Sequence, residues 1–288
     1  MTSPGPLRIT AFERRYHQAV DDLIFQNYQV HTHLDWYEPL DWLERARPTV
    51  RLAWQGERLA GMLAASAPLS GVVWLRIAAL HDHAPAHTVM NALWQALLPE
   101  LQHPGVQRIA LLITRSWIHR YIQALGFTFT EDIITLERRG ALLPDLPEID
   151  AALRRLQPAD IDQVLAIDQA AFPDSWQMSI EELRQATRTA AICTVAVAEN
   201  QVVGYQISTT HRDGAHVARL AVDPQRQGQH IGSALLHDVL RQFIQQQITT
   251  ITVNTQAGNL RSQRLYRNFG FQRNGYDLPV WSLTVAAR

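Results

Sequence analysis

Two short stretches carry residue types that could do chemistry. The first is VDPQRQGQHIGSALL, Val222 to Leu236. Asp223-Pro224 ends an apolar, strand-like run, Gly228 allows a tight loop, and Ile231-Gly232-Ser233 opens a helix. Backbone N–H groups from 228 to 232 would converge with the positive end of that helix, which is a seat for a pyrophosphate. Gly232 lets a ligand or a neighbouring strand approach the first turn closely. The same loop is equally compatible with a purely structural turn. It has no GK[ST] ending of a nucleotide P-loop, and the glycine and acid placement of a dinucleotide fingerprint is absent. The second stretch is NTQAGNLRSQRLYRNFGF, Asn254 to Phe271. Asn259 can cap an amphipathic helix over Leu260 to Phe269, and Gly270 can end it in the left-handed region. Tyr266 lies two turns along: a core aromatic, or a phenol whose ordinary pKa near 10 keeps it protonated at neutral pH.

The elements that must position these stretches occur twice. VRLAWQGERLAGMLAAS and CTVAVAENQVVGYQIST both read as strand, turn, strand, with Gly61 and Gly204 in matching places. RYIQALGFTF echoes LYRNFGFQRN, each after a β-like run, at an offset of roughly 144 residues, which favours duplication. Each half reads as a helical region, a hairpin, a central strand (residues 73–80 and 216–222), a long helix, a strand, a shorter helix and a last strand. Asp160 is placed to cap the first helix of the second half. Antiparallel strands followed by strand-helix-strand units imply an α/β protein with a mixed, α+β-type sheet and helices on its faces. Pro144 and Pro147 mark a linker near 140 to 150, giving expected domains of 1–145 and 150–288.

Composition narrows the class. The chain has 288 residues, 47% hydrophobic and 18% charged, with a formal net charge of -1, which describes a globular protein with well-buried cores. No basic tract suggests nucleic acid, and no apolar run reaches membrane-spanning length. The start MTSPGPLRIT lacks a signal pattern, and Cys193 is the one cysteine, inside an apolar run. A soluble cytoplasmic protein is expected. The pairs His31/His33 and His81/His83 with His87 lack a cysteine to complete a zinc set, and no metal is expected.

The second half resembles the GCN5-related N-acetyltransferase (GNAT) family. The family's acyl-CoA loop, Gln/Arg-x-x-Gly-x-Gly/Ala, corresponds to Gln227, His230 and Gly232, with His230 in place of the first motif glycine. That substitution fits if His230 keeps a negative φ and turns its ring to solvent or phosphate. The family's second signature, an asparagine followed by a helix ending Tyr-x-x-x-Gly-Phe, corresponds to Asn259, Tyr266, Gly270 and Phe271, with Ser262 between. The resemblance covers residues 150 to 288 well and 1 to 140 faintly. Through AIDQAAFPDSW the second half is most similar to ribosomal-protein alanine acetyltransferases.

The resemblance implies two tandem acyl-CoA N-acyltransferase domains, the first degenerate, and direct transfer from acetyl-CoA to a primary amine in a ternary complex. The acceptor is a small molecule or a protein N-terminus. Leu220, Ala221 and Val222 are expected along the pantetheine arm, with the Val222 N–H polarising the carbonyl. Residues Gln227, Gly228, Gln229, His230, Ile231, Gly232 and Ser233 form the phosphate loop, and Asn259 and Ser262 flank the arm. Tyr266 is the implied proton donor to the leaving thiolate. The central strand ARLAV carries no glutamate and Asn254 cannot accept a proton, so His216 is the candidate base. Asp174 and Trp176 either meet the amine or cap and pack the local turn.

The first half has Ile122 at the tyrosine position, Arg115 at the asparagine position and no glycine in HDHAPAHTV, so it reads as a silent copy. Tyr121, offset by one, is expected to face away. Six of the eight tryptophans (Trp36, Trp42, Trp54, Trp74, Trp94, Trp117) lie in this half, for an aromatic acceptor or for packing. A pseudo-dimeric monomer is one arrangement the repeat allows. An acyl-CoA-binding sensor or interaction protein without turnover is the alternative function.

Overall fold

The computed structural model describes residues 6–285, so part of the segment read for a signal pattern lies outside the described residues. The first half contributes β1 (Leu7–Ala11), α1 (His17–Gln26), β2 (Gln29–Thr32), α2 (Pro39–Arg45), β3 (Val50–Gln55), β4 (Arg58–Ala65), β5 (Val72–Leu80), α3 (Ala86–Leu101), β6 (Arg108–Leu112), α4 (His119–Ala124) and β7 (Thr128–Arg139). The second contributes β8 (Ala152–Arg155), α5 (Ile161–Ala171), α6 (Ile180–Thr189), β9 (Ile192–Ala198), β10 (Gln201–His211), β11 (Gly214–Val222), α7 (Ile231–Gln245), β12 (Thr250–Gln256), α8 (Leu260–Asn268), β13 (Gln272–Arg273) and β14 (Leu278–Thr284). From the hairpin onward both halves follow the strand and helix order read from the repeat, while β1 and β8 ahead of the first helices and β2 after α1 are strands that the sequence reading did not include. Among the described residues no helix is long and apolar enough to cross a membrane.

The described residues up to Glu131, with the segment from Pro279 onward, form one compact unit, and Asp132–Leu278 form the other. This division differs from 1–145 and 150–288 because each half gives its last strand to the other unit. From Ile133 to Arg139, β7 pairs antiparallel with β12 of unit two. Val280 to Thr284 of β14 pair antiparallel with β6 of unit one. The proline-bearing linker therefore lies inside unit two, where Leu143 and Leu146 pack on the core.

In unit two the hydrogen-bonded order is β7-β12-β11-β10-β9-β8, antiparallel except for the parallel pair β11–β12. Neighbouring residues on β10 show what covers each face. A Cβ on Gly204 would press on Leu235 and Ile231 of α7, at 3.1 and 3.2 Å, whereas the next residue, Tyr205, bonds Asp168 of α5. Consecutive strand residues point to opposite faces, so α7 and α5 cover opposite sides of the sheet. Phe243 and Leu240 of α7 and Phe271 are fully buried on the α7 side, each worth about 1.5–3 kcal/mol of burial.

The central strand is irregular at one residue. Ile207 stands opposite Arg219 but Ser208 opposite Val217, so Ala218 is an extra residue on β11. A bulge of this kind bends its strand and ends pairing on one side. Accordingly β11 pairs with β12 only at Ala215, His216 and Val217, and beyond them the two strands part. Unit one repeats the device: Ala64 faces Ile77 and Ala65 faces Leu75, leaving Arg76 as the extra residue, and β5–β6 pairing stops after Trp74 and Ala110.

The units differ in what fills that wedge. In unit one, β2 lies along the released edge of β5, with Gln29 against Leu80, Val30 against Ala79, His31 against Ala78 and Thr32 against Ile77. The His33 N–H extends the ladder to the Arg76 carbonyl at 2.8 Å. Thr114, just past β6, donates to the Thr32 carbonyl and meets His31 Nδ1 at 2.9 Å. His31 is fully buried and its Nε2 has no partner among the described residues. Trp42, Trp54 and Trp94 are buried in the two cores of this unit, and Trp74 is buried with its ring 5.6 Å from that of His33, which accounts for these four by packing. Tyr121 does not turn outward. It is buried, its ring 4.7 Å from that of His87 in the first turn of α3. At the helix of the second half Asp160 does not cap α5; it accepts from the Gln157 N–H and from Arg154, both at 2.7 Å.

Burial lowers the imidazole of His31 to about 3 and that of His33 to about 4. Both are then neutral in the folded chain but take up protons below about 6.5 when unfolded. The unfolded state binds more protons as pH falls through 6.5, so their contribution is intact above that pH and is lost on acidification. At pH 5 the penalty is about 2 kcal/mol for each histidine. Urea unfolding at pH 7.5 and pH 5 should show unit one weakened at the lower pH. The double variant His31→Gln, His33→Gln should have a flatter pH dependence, and an equally steep one would exclude these histidines as the cause.

Candidate active site

The wedge of unit two is open where β2 closes that of unit one. The Asp223 N–H bonds the Val203 carbonyl at 2.9 Å, towards β10. Alternation along the strand then turns the backbone of Ala221 and Arg219 to β10 and that of Leu220 and Val222 into the wedge. The Val222 carbonyl on that side is taken by Gln227 Nε2 at 3.1 Å. What remains facing the wedge is a pair of N–H donors, at Leu220 and Val222, and the Leu220 carbonyl. Ala221 presents no backbone group to the wedge. In unit one the equivalent positions are Ala78 and Leu80, because the His81 N–H bonds the Ala60 carbonyl just as Asp223 bonds Val203.

The loop that follows leads to the first turn of α7. Asp223 accepts from the Gln225 N–H at 2.9 Å and fixes the turn, and Gln227 also accepts from Arg261 of α8. Gln227 thereby ties the end of β11 to the loop and to α8, while Gln229 and Gly228 are exposed. His230 departs from expectation: its φ is +60°, in the left-handed region, with the side chain exposed. The loop keeps the backbone shape natural to the glycine of the motif and imposes it on a histidine, at a cost of about 1–2 kcal/mol. No side chain caps α7, and its first intrahelical bond runs from the Ala234 N–H to the His230 carbonyl. The N–H groups of Ile231, Gly232 and Ser233 are left for a ligand or water.

Gly232 tests whether an anion fits here. A Cβ on it would lie 3.5 Å from Val222 Cγ2 and 3.6 Å from Leu265 Cδ2, ordinary contacts that require no glycine. Nor does this residue have a positive φ. Protein packing alone would admit alanine, so the bare backbone leaves room for phosphate oxygens against the helix end.

On α8, Asn259 caps the helix by accepting from the Ser262 N–H at 3.1 Å, the role read from its position. Tyr266 is buried against Phe271, ring centroids 5.7 Å apart, and burial raises its phenol well above the ordinary value. Gly270 has a φ of +80°, ending the helix as expected. His216 lies at the closed end of the wedge, two residues before the bulge, with Nδ1 2.8 Å from Thr252 Oγ1. Thr252 donates to the Ala215 carbonyl, so it accepts from Nδ1–H and leaves the imidazole lone pair on Nε2. The neighbours Ala215 and Val217 pack on the α7 side, which puts His216 on the α5 face.

That face holds a network the sequence reading missed. Asp168 of α5 is fully buried and accepts from Arg219 Nε at 2.8 Å, Arg219 Nη2 at 2.7 Å, the Met178 N–H at 2.9 Å and the Tyr205 hydroxyl. Arg219 also donates to the Trp176 carbonyl and lies 3.7 Å over the Phe172 ring. Asp168 thus binds β10, β11 and the 172–178 segment into one piece. Trp176 is held there through its backbone and is half-buried, whereas Asp174 is exposed and accepts from Gln177 at 3.2 Å. The two expected acceptor residues therefore share a turn, in which Asp174 meets the Gln177 side chain and no side chain caps the turn. Among the described residues no three metal-ligating side chains cluster.

The strained loop gives a direct test. His230→Gly should raise the stability of unit two by about 1 kcal/mol in urea unfolding, by releasing the left-handed residue. An unchanged or lowered stability would mean that the imidazole makes a compensating interaction.

Residues 161–271 match the model of the acetyltransferase (GNAT) family. The chain is 26% identical over 191 residues to a mycothiol acetyltransferase of Brachybacterium faecium, and the match spans only 57% of each chain. It is 24% identical over 125 residues to a putative ribosomal protein bS18-alanine N-acetyltransferase of Bacillus subtilis, across 43% of this chain and 83% of the relative. A solved tandem GNAT protein from the clavulanic acid biosynthesis pathway shares the fold at a TM-score of 0.69, with 14% identity over 98% of this chain and 100% of that one. The segment from α5 to Phe271, which holds the open wedge and the uncapped α7, is thus the part of the chain that is similar to the acetyltransferase (GNAT) family.

Proposed function

We propose that unit two transfers the acetyl group of acetyl-CoA directly to a primary amine within a ternary complex, with Tyr266 as general acid. The observation that carries this reading is the open wedge between β11 and β12, which runs from two unpaired backbone N–H groups to an uncapped helix end. Bound there, acetyl-CoA would supply an activated acyl group as a thioester. Ile231, Gly232 and Ser233 would hold the pyrophosphate by their N–H groups, with Gly228, Gln229 and His230 shaping the loop. Leu220 and Val222 would hold the pantetheine arm as a strand holds its neighbour, with Ala221 contributing only position. Asn259 and Ser262 would border the arm from α8.

Transfer needs a proton removed from the amine and one delivered to the thiolate. The amine nitrogen forms a bond to the thioester carbonyl carbon as the carbon–sulfur bond breaks. His216 Nε2 takes the proton of the amine, directly or through water, and Tyr266 gives its own to sulfur. Burial suits Tyr266 to that role, since a raised phenol pKa keeps it protonated at every working pH. A Leu220 or Val222 N–H would stabilise the carbonyl oxygen as it gains charge.

The acceptor is a small-molecule amine or a protein N-terminus, with Trp176 and Asp174 beside it on the α5 face. The small molecule is favoured because the mycothiol acetyltransferase match is longer than one unit, whereas the alanine acetyltransferase match covers one only. Unit one we read as a silent, degenerate copy, because its own β2 fills the wedge. The alternative, a non-catalytic acyl-CoA-binding sensor or interaction protein, draws on the absence of a glutamate from β11 and on His230 in the loop. Tyr266→Phe separates the two: kcat should fall at least about 10²-fold with the KM for acetyl-CoA unchanged, measured by thiol release with an amine panel. No amine-dependent thiol release from the wild-type protein would favour the sensor.

A further inference from the structure

A second cavity, of about 850 Å³, opens at the far edge of the unit-two sheet, where β8 ends and β9 begins. Its size is that of a small-molecule site. Arg184 and Arg188, one helical turn apart on α6, and Arg155 at the end of β8 line it, and all three side chains are exposed. None of the three has a carboxylate partner among the described residues. By contrast, Arg154 nearby is engaged by Asp160. Asp238 lines the opposite wall, but its carboxylate is already met by Arg241 at 2.9 Å, Gln242 at 2.6 Å and Thr194 at 3.3 Å. Apolar residues such as Leu156 and Ile161 form part of the lining, and so does Cys193. None of these residues belongs to the wedge, the loop or α8.

Three unpaired guanidinium groups around a partly apolar cavity are the arrangement that holds a multiply charged carboxylate or phosphate, because arginine forks match those groups in pairs. We propose that this cavity is a second ligand site in unit two, for a small anion bearing two or more negative charges on a compact organic body. It is separate from the acyl-CoA wedge and does not depend on transfer activity.

Cys193, the one cysteine in the sequence, reports on the site. Burial holds its thiol up to about 11, partly offset by Arg155, so it reacts slowly and its modification can be followed as a rate. The experiment measures the rate of Cys193 reaction with a neutral aromatic disulfide at pH 8.5, with citrate as the probe anion and sodium chloride at equal ionic strength as the control. Citrate should slow the reaction saturably, by roughly tenfold at ten times its Kd. The protection should persist with saturating acetyl-CoA and in Gly232→Glu, and it should vanish in the triple variant R155Q, R184Q, R188Q. These side chains are exposed and unpaired, so the triple variant should fold, which circular dichroism and thermal unfolding would check. R155Q alone, expected to weaken citrate binding severalfold, provides the test if the triple variant does not fold. Protection no greater than that of sodium chloride, or equal protection in the arginine variants, would overturn the proposal. Loss of protection in Gly232→Glu would instead place the anion at α7 and overturn it too.

Discussion

A central strand can give its outer edge to one partner at a time, and much of this protein follows from where that edge is released. Ala218 inserts one residue opposite the Ile207–Ser208 step, and beyond Val217 β11 no longer reaches β12. Backbone groups that lose a ladder partner need another. In unit one the released edge is satisfied from within, by β2 from Gln29 to Thr32. In unit two it is left to solvent or to a ligand with amide groups of its own, and the uncapped end of α7 lies at the mouth of the same wedge. The bulge is present in both units, and a strand in the wedge separates the closed one from the open one.

The open wedge has to be rigid to be useful. Asp168 supplies that by meeting four donors from three parts of unit two, among them both nitrogens of the Arg219 fork. Arg219 sits directly after the bulge residue, so the ion pair pins the strand at the point where it turns away. A buried charge pair contributes little net stability compared with apolar packing, but removing one partner is costly, commonly about 3–5 kcal/mol. Its value here is positional, since it also fixes the Trp176 carbonyl beside the face where His216 stands.

The loop, the α8 cap and the repeat were legible because they rest on local chemistry. Gly228, Gly270 and Asn259 each solve a problem within a few residues of themselves, and hydrophobic periodicity located α7 and α8. The left-handed φ of His230 is not legible from its residue type, because the loop around it and not its side chain dictates that conformation. The strand β2 was missed since four residues, QVHT, carry too short an alternation to distinguish from loop. Its pairing depends on a wedge that only the bulge at Arg76 creates. Asp168 did leave a trace: it continues the buried stripe of Ile161 and Val164, and Arg219 interrupts an apolar strand. Opposite charges on two otherwise apolar faces were a signal to pair them. The exchange of β7 and β14 between units was illegible, because pairing partners distant in sequence leave no mark on local pattern.

The central claim is that one wedge per chain, that of unit two, takes acetyl-CoA. Calorimetric titration of acetyl-CoA into the wild-type chain and into Gly232→Glu tests it most directly. One binding event per chain, abolished by the substitution in a protein that still folds, is the predicted result. Two events per chain, or one that survives Gly232→Glu, would contradict it.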